Sequence, residues 1–144
     1  MRKLKLTVLL MLCIFITPLP VVAGDFDGSQ PLLCAFIDII ECGANDACNE
    51  VTAESINAPQ FLKIDFKRKK ISATHESGDK RTTGIMHMGL IDGKLILQGM
   101  EDGQEGVRDG LGWSMAIAQE TGKMVLTGSG DQVGFVVFGA CTPL

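Results

Sequence analysis

Short turn sequences divide the chain beyond residue 31 into apolar runs, and this spacing constrains the fold more than any other feature. Asp92-Gly93 and Ser129-Gly130-Asp131 are examples of these separators, and such sequences are typical of hairpins between strands. Only Val51–Asn57 has the composition of a short helical turn. The predicted strands are Leu32–Glu41, Phe61–Lys67, Lys70–Thr74, Arg81–Ile91, Lys94–Met100, Gly112–Gln119, Lys123–Thr127 and Gln132–Ala140.

Hairpins that follow one another along the chain predict an all-β fold, an antiparallel meander of about eight strands. The sequence Asp92–Gly99 recurs in similar form as Thr121–Gly128, which indicates two hairpins of one type. A meander of this size protects its edges by closing into a barrel or by folding into two packed sheets. We therefore expect residues 32–144 to form a single small barrel, with a β-sandwich as the alternative.

The first 23 residues have the organisation of a cleaved signal peptide. Arg2, Lys3 and Lys5 are basic, Leu6–Ile16 is apolar, and Val21-Val22-Ala23 supplies small residues before the predicted cleavage point. The apolar run is shorter than the roughly 20 residues of a membrane-spanning helix, so no membrane span is predicted. Residues 24–31 are polar and rich in turn formers and are predicted to be a flexible leader. The mature protein is expected to be periplasmic or secreted.

Net charge argues against nucleic acid as a partner. The whole chain carries 13 basic and 17 acidic residues, a formal net charge of −4. Removing residues 1–23 takes away three basic and no acidic residues, so the net charge becomes −7. An acidic domain repels the phosphate backbone, and therefore no nucleic-acid partner is expected.

Four cysteines remain after the predicted cleavage: Cys34, Cys42, Cys48 and Cys141. An even number in an exported chain favours two disulfides, and counting alone leaves three pairings open. The close pairs of cysteines that structural zinc sites use are absent from the spacing. If the barrel closes, its first and last strands pair and place Cys34 opposite Cys141, which leaves Cys42 to bridge Cys48.

No catalytic constellation can be identified in the sequence. The only histidines are His75 and His87, and no serine lies in a Gly-x-Ser-x-Gly motif. We therefore predict that the protein is not an enzyme and that it needs no cofactor. A weak alternative is a Cu(I) or Ag(I) site formed by Met86 and Met88, which share one face of a regular strand, with Trp113 close by. Core packing is the favoured interpretation of these methionines.

Two surfaces are candidates for contact with a partner. The last strand is apolar on both faces, so one face has to meet a loop, another subunit or a ligand. Four consecutive cations stand out in an otherwise acidic protein and lie at the predicted tip of a hairpin. An unknown protein or a small apolar ligand is the expected partner, and a homodimer is compatible with both surfaces. The residues of the two surfaces are Val136 and Phe138 in the last strand, and Lys67, Arg68, Lys69 and Lys70 at the tip.

Several segments of the mature chain resemble small exported bacterial proteins of unknown function. The segments are Pro59-Gln60-Phe61, Ile64-Asp65-Phe66, Gly112-Trp113-Ser114-Met115, Thr121-Gly122-Lys123-Met124 and the strand Gly134-Phe135-Val136-Val137-Phe138-Gly139-Ala140-Cys141-Thr142-Pro143. The resemblance implies a bacterial cell-envelope setting and transfers no activity. The function expected is an exported binding or interaction module. A small-molecule carrier barrel, a soft-metal binding protein and a secreted enzyme inhibitor are the alternatives.

Overall fold

A computed structural model describes residues 26–74, 81–103, 106 and 110–144. Every regular element in these residues is a β-strand. None of these residues belongs to a long apolar helix of the kind that crosses a bilayer. The strands are β1 (Leu32–Gly43), β2 (Asn49–Val51), β3 (Phe61–Asp65), β4 (Lys70–Ala73), β5 (Thr82–Ile91), β6 (Lys94–Glu101), β7 (Leu111–Ala118), β8 (Lys123–Ser129) and β9 (Val133–Pro143).

The strands form one closed antiparallel barrel. From β3 to β9 each strand pairs with the next along the chain, β3 also pairs with β1, and β9 pairs with β1 to close the barrel. Closure leaves no pair of separate sheets, so the barrel prediction is confirmed and the sandwich alternative is wrong. The boundaries of the eight predicted strands agree with the observed ones to within three residues. The agreement is close because strands show alternating side chains and end at turn-forming residues.

β1 uses both of its edges, and one edge is shared between two partners. Along one edge it pairs with β9 over its whole length. Along the other edge, residues 32–35 pair with β3 and residues 39–41 pair with the short strand β2. A bulge at Ile37 separates the two halves and bends the strand. β2 ends at Val51, the first residue of the segment Val51–Asn57 where a helical turn was expected, and residues 53–57 form hydrogen-bonded turns but no helix.

The two similar segments end in different turns. The β5–β6 turn has two residues, Asp92 and Gly93, both with positive φ (47° and 68°), as tight hairpins require. The β7–β8 connection is longer, and Gly122 alone has positive φ there (67°) while its N–H donates to the carbonyl of Ala118 at 2.9 Å. The expectation of a single hairpin type is therefore wrong, because Thr121 continues a longer loop where Asp92 begins a tight turn.

Side chains that alternate along the strands fill the barrel. On β7 the buried side chains are Trp113, Met115 and Ile117, and on β6 Leu95 and Leu97 face them. Among the described residues no polar or charged residue is buried. The interior is therefore an apolar core, and its burial from water is the main source of stability.

Both predicted disulfides are present. Cys34 on β1 and Cys141 on β9 are direct partners in the ladder that closes the barrel, and their sulfurs are bonded. Cys42 and Cys48 are bonded across the β1–β2 connection. The pairing inferred from barrel closure is therefore confirmed.

The leader residues that the structure describes lie against one end of the barrel. Phe26 packs against the core and its ring lies beside Gly122. Gly28 lies beside Phe66, Met88 and Leu95. Hydrogen bonds from the Ser29 side chain and backbone lower the pKa of Asp27 below its usual value; the Ser29 N–H lies 2.8 Å from Oδ1 of Asp27. The predicted signal peptide lies outside the described residues.

Candidate functional site

A cavity of about 150 Å³ opens at one end of the barrel. β3, β5, β7 and β9 begin at this end, and β4, β6 and β8 finish there. The cavity continues the apolar core towards solvent, since both buried core residues and partly exposed residues line it. Its apolar lining includes Phe36, Leu62, Ile71, Trp113, Leu126 and Val137.

A hydrogen-bonded chain fixes the orientation of the only tryptophan in the cavity wall. The indole Nε1–H of Trp113 donates to the hydroxyl of Thr83 at 3.1 Å. That hydroxyl donates in turn to the carbonyl of Met100 at 2.7 Å. Trp113 is buried, so this partner satisfies a donor that would otherwise be shielded from water. The ring is thereby held in one position at the cavity wall.

Two glycines lie beside Trp113, one on each neighbouring strand. Gly99 lies under the Trp113 ring, and a Cβ at Gly99 would overlap the ring and the carbonyl of Gly84. Gly128 lies on β8 opposite Trp113 and lines the cavity. A Cβ at Gly128 would meet Leu111 at 3.5 Å and Phe135 at 3.9 Å, which are ordinary contact distances. Gly99 is therefore required for packing, whereas Gly128 leaves space that a larger residue would fill.

One ion pair lies at the mouth of the cavity. Arg81 directly precedes β5, and its Nη1 lies 3.8 Å from Oε1 of Glu101 at the end of β6. Nη2 of Arg81 also donates to the carbonyl of Asn57. Both charged side chains are partly exposed, so water screens the pair and its contribution to stability is small. The pair gives an apolar cavity a polar rim.

Residues 52–60, which we call the rim loop, cover part of the mouth. Ile56, Ala58 and Pro59 line the cavity from this loop. Thr52 and Ser55 exchange hydrogen bonds between backbone N–H groups and hydroxyls, each at 3.2 Å. Thr52 and Ser55 thereby hold the first turn of the loop in shape.

Two further contacts tie the rim loop to the barrel. The Phe36 N–H of β1 donates to the carbonyl of Gln60 at 2.9 Å. At the other end of the loop, β2 pairs with β1, and the Cys42–Cys48 disulfide bridges the connection between these strands. The small disulfide is therefore one of the constraints that position the cover of the cavity.

The described lining of this cavity is mainly apolar. Among the lining residues that the structure describes, the ionisable side chains are Arg81 and Glu101, and they are paired with each other. Within the described ranges no group of three His, Cys, Asp or Glu side chains is placed to hold a metal ion. An apolar wall with a few polar groups at one side is the usual organisation of a small-molecule site.

The structure places Val136 and Phe138 on the outside of the barrel, away from this cavity. Phe138 is 41% exposed, whereas Val137 between them points inward and is buried. Phe138 pairs with Val125 on β8, which is also exposed. These side chains form part of an outer surface on which the exposed Asp38 of β1 lies opposite Phe138. Contact with a partner there stays a prediction.

The four consecutive cations lie at the turn between β3 and β4, at the end of the barrel opposite the cavity. All four are exposed, and we call them the basic tip: Lys67, Arg68, Lys69 and Lys70. Asp65 anchors the turn, because its Oδ1 accepts from the Arg68 N–H at 3.0 Å. Lys69 has positive φ (52°) and completes the turn.

A bulge separates the methionines of the weak metal alternative. The β5–β6 register shifts between Ile85 and His87, so Met86 is the extra residue. Met86 and His87 therefore both line a shallow outer groove, whereas the sulfur of Met88 lies close to Gly28 at the leader. The strict alternation that put Met86 and Met88 on one face does not hold, because a bulge changes the face on which later residues lie.

Sequence reasoning did not identify the cavity. Its lining comes from eight of the strands and the rim loop, and only the register between strands brings those residues together. Gly99 and Gly128 carried a usable signal, since an isolated glycine inside a strand often marks a close approach or a gap.

The chain was compared with protein-family models, with curated proteins and with solved structures, and no match was found.

Proposed function

We propose that this protein is an exported binding module whose cavity takes up a small apolar molecule or the apolar end of an amphiphile. The observation that carries the proposal is the apolar cavity at the open end of an otherwise filled barrel. Small barrels are known to hold one small ligand in this position.

The size of the cavity limits the ligand class. An engineered apolar cavity of about 150 Å³ in another protein stays dry and binds benzene. A single aromatic ring or a short alkyl chain of about six carbons therefore matches the volume here. A larger ligand would have to leave its remainder at the rim, beside Arg81 and Glu101.

The lining supports uptake and release rather than turnover. A reaction site needs a nucleophile or a base that is held by an orienting group, and the described lining residues contain no such set. Thr83 does carry a hydroxyl, but that hydroxyl is engaged with Trp113 and with the Met100 carbonyl. The polar groups present are suited to orienting a ligand at the mouth.

Export to the periplasm or the medium is part of the proposal. Two disulfides in one small domain are typical of proteins that fold in an oxidising compartment. The sequence at residues 1–23 supports the same setting, because its basic, apolar and small-residue regions follow the order of a secretory signal.

Thermal unfolding in the presence of benzene tests the binding proposal. A ligand that binds only the folded state stabilises it by about 2.7 kcal/mol at a concentration one hundred times its Kd. We expect the midpoint of unfolding to rise with benzene concentration and to saturate. No rise at concentrations up to benzene saturation would reject the cavity as a site for ligands of this size.

Two matched variants separate the cavity from non-specific effects. Gly128→Val adds three carbons inside the cavity, and we expect it to abolish the rise. Gly112→Val adds the same atoms on the neighbouring strand at an exposed position with open space around it, and it should respond as the parent does. Equal responses in both variants would show that benzene acts elsewhere.

A further inference from the structure

The second half of β5 has an unpaired edge. β4 pairs with β5 only as far as Gly84, and the Ile85 N–H donates to the Lys69 carbonyl of the adjoining turn at 2.8 Å. From Met86 to Ile91, β6 is the only strand that pairs with β5 in the described part of the chain. One backbone edge of these six residues therefore has no strand beside it in the part of the chain that the structure describes.

Beyond the bulge at Met86, this edge lacks the charged residues and proline that usually prevent strands from adding to one another. Proteins protect such edges with lysine, proline or other charged residues. Residues 86–91 contain no proline and no Asp, Glu, Lys or Arg. Four of the six side chains are large, apolar and at least half exposed: Met86 (56%), Met88 (50%), Leu90 (56%) and Ile91 (66%).

We propose that a second copy of this chain docks at this edge, with the two β5 strands antiparallel across a two-fold axis. The β5–β6 hairpin has a two-residue turn, so its closing pair, Ile91 and Lys94, exchanges both backbone hydrogen bonds. Pairs then alternate along the hairpin, and the N–H and C=O groups of Met88 and Leu90 point to the free edge. When the β5 strands of two copies pair, these N–H and C=O groups of each copy can bond to those of the other.

The best register places Gly89 opposite Gly89 of the second copy. Met88 of each copy then lies opposite Leu90 of the other, and these residues exchange the outward hydrogen bonds. The same pairs bring exposed apolar side chains into contact on one face of the joined sheet. His87 lies opposite Ile91, so no like charges meet. Five of the six free residues of each copy, 87–91, then pair with the same five of the other.

Charge complementarity supports the same register. This register brings Asp92 of one copy beside Met86 of the other. The next residue, Ile85, donates its N–H to the carbonyl of Lys69, so the basic tip lies close to Asp92 of the other copy. The Asp92 side chain is exposed and bonds Lys94 Nζ through Oδ2 at 3.1 Å. A carboxylate accepts several hydrogen bonds, so a second cation can be bound there. The two-fold axis forms this contact twice.

Sedimentation analysis of the full mature chain, over about 1 to 200 μM, tests the proposal. An interface of this small size predicts a dimer with a Kd on the order of 10 μM. Leu90→Lys places a charge on the edge and should raise the Kd at least tenfold. Phe138→Lys is the matched control, because Phe138 is an exposed apolar residue on β9, across the barrel from β5. This control should leave the Kd of the dimer unchanged. A monomer throughout the range, or loss of the dimer only in Phe138→Lys, would overturn the proposal.

Amide exchange of the parent protein tests strand pairing without any substitution, and the variant Asp92→Asn tests the register. Amide exchange at Met88 and Leu90 of the parent protein should slow as concentration rises, while exchange at Gly89, whose N–H faces β6, should not. Concentration-independent exchange at Met88 and Leu90 would overturn strand pairing. Asp92→Asn preserves the turn, because asparagine also adopts positive φ. It should weaken the dimer several-fold and reduce its salt dependence, and an unchanged salt dependence would overturn this register.

Discussion

Cys34 and Cys141 are cross-strand partners at the seam where the first strand of the barrel meets the last. The bridge spans 107 residues of sequence, so it restricts nearly the whole described chain in the unfolded state. Stabilisation by a disulfide increases with the length of the loop it closes, in the entropic account. The bridge at the seam is therefore expected to be the more important of the two.

Removal of each disulfide tests this ranking. Replacing Cys34 and Cys141 together by alanine should lower the free energy of unfolding by about 4 to 5 kcal/mol. Replacing Cys42 and Cys48, which are six residues apart, should lower it by about 2 kcal/mol. Urea unfolding of both variants measures the difference. Equal losses would show that the seam does not depend on its bridge.

The hydrogen bond between Thr83 and Trp113 gives a second prediction. Thr83→Val keeps the side-chain shape and removes the hydroxyl, which leaves the indole N–H of a buried tryptophan without its acceptor. We expect a loss of about 1 to 3 kcal/mol in unfolding free energy. Thr127→Val is the control, because its hydroxyl makes only a long, exposed bond of 3.4 Å. A loss in Thr83→Val no larger than in the control would contradict this role for the hydroxyl.

Gly99 and Gly112 should respond in opposite ways to the addition of one methyl group. Gly99→Ala forces a Cβ into the Trp113 ring and the Gly84 carbonyl, and we expect a loss of about 1 to 3 kcal/mol or more. Gly112→Ala meets open space and should change stability by less than about 0.5 kcal/mol. Urea unfolding, with Trp113 fluorescence as the signal, compares the two. A stable Gly99→Ala protein would mean that the ring has moved away from β6.

The orientation of β9 is tested by neighbouring residues of the same strand. Val137→Ala removes two methyl groups from the buried face and should cost about 1 to 3 kcal/mol. Val136→Ala, on the half-buried outer face, should cost clearly less. Thermal unfolding of the two variants provides the comparison, and the reverse order would contradict the register between β8 and β9.

Local patterns were sufficient to predict every strand except the short β2, and the Cys34–Cys141 pair. Alternation and turn residues are properties of neighbouring residues, and closure of a meander has only one seam. The bulges at Ile37 and Met86 were not predictable, since a bulge appears only when two strands are aligned. The same limit applies to the cavity, because whether Gly128 opens space depends on what lies across the barrel.

The central claim is that the cavity beside Trp113 binds a small apolar molecule. Because the chain has one tryptophan, its indole N–H gives a single proton resonance that reports directly on the cavity wall. In a titration with benzene, we predict a saturable shift of this resonance in the parent and in Gly112→Val, and no shift in Gly128→Val. A resonance that stays unchanged in the parent, or that shifts equally in Gly128→Val, would contradict the account.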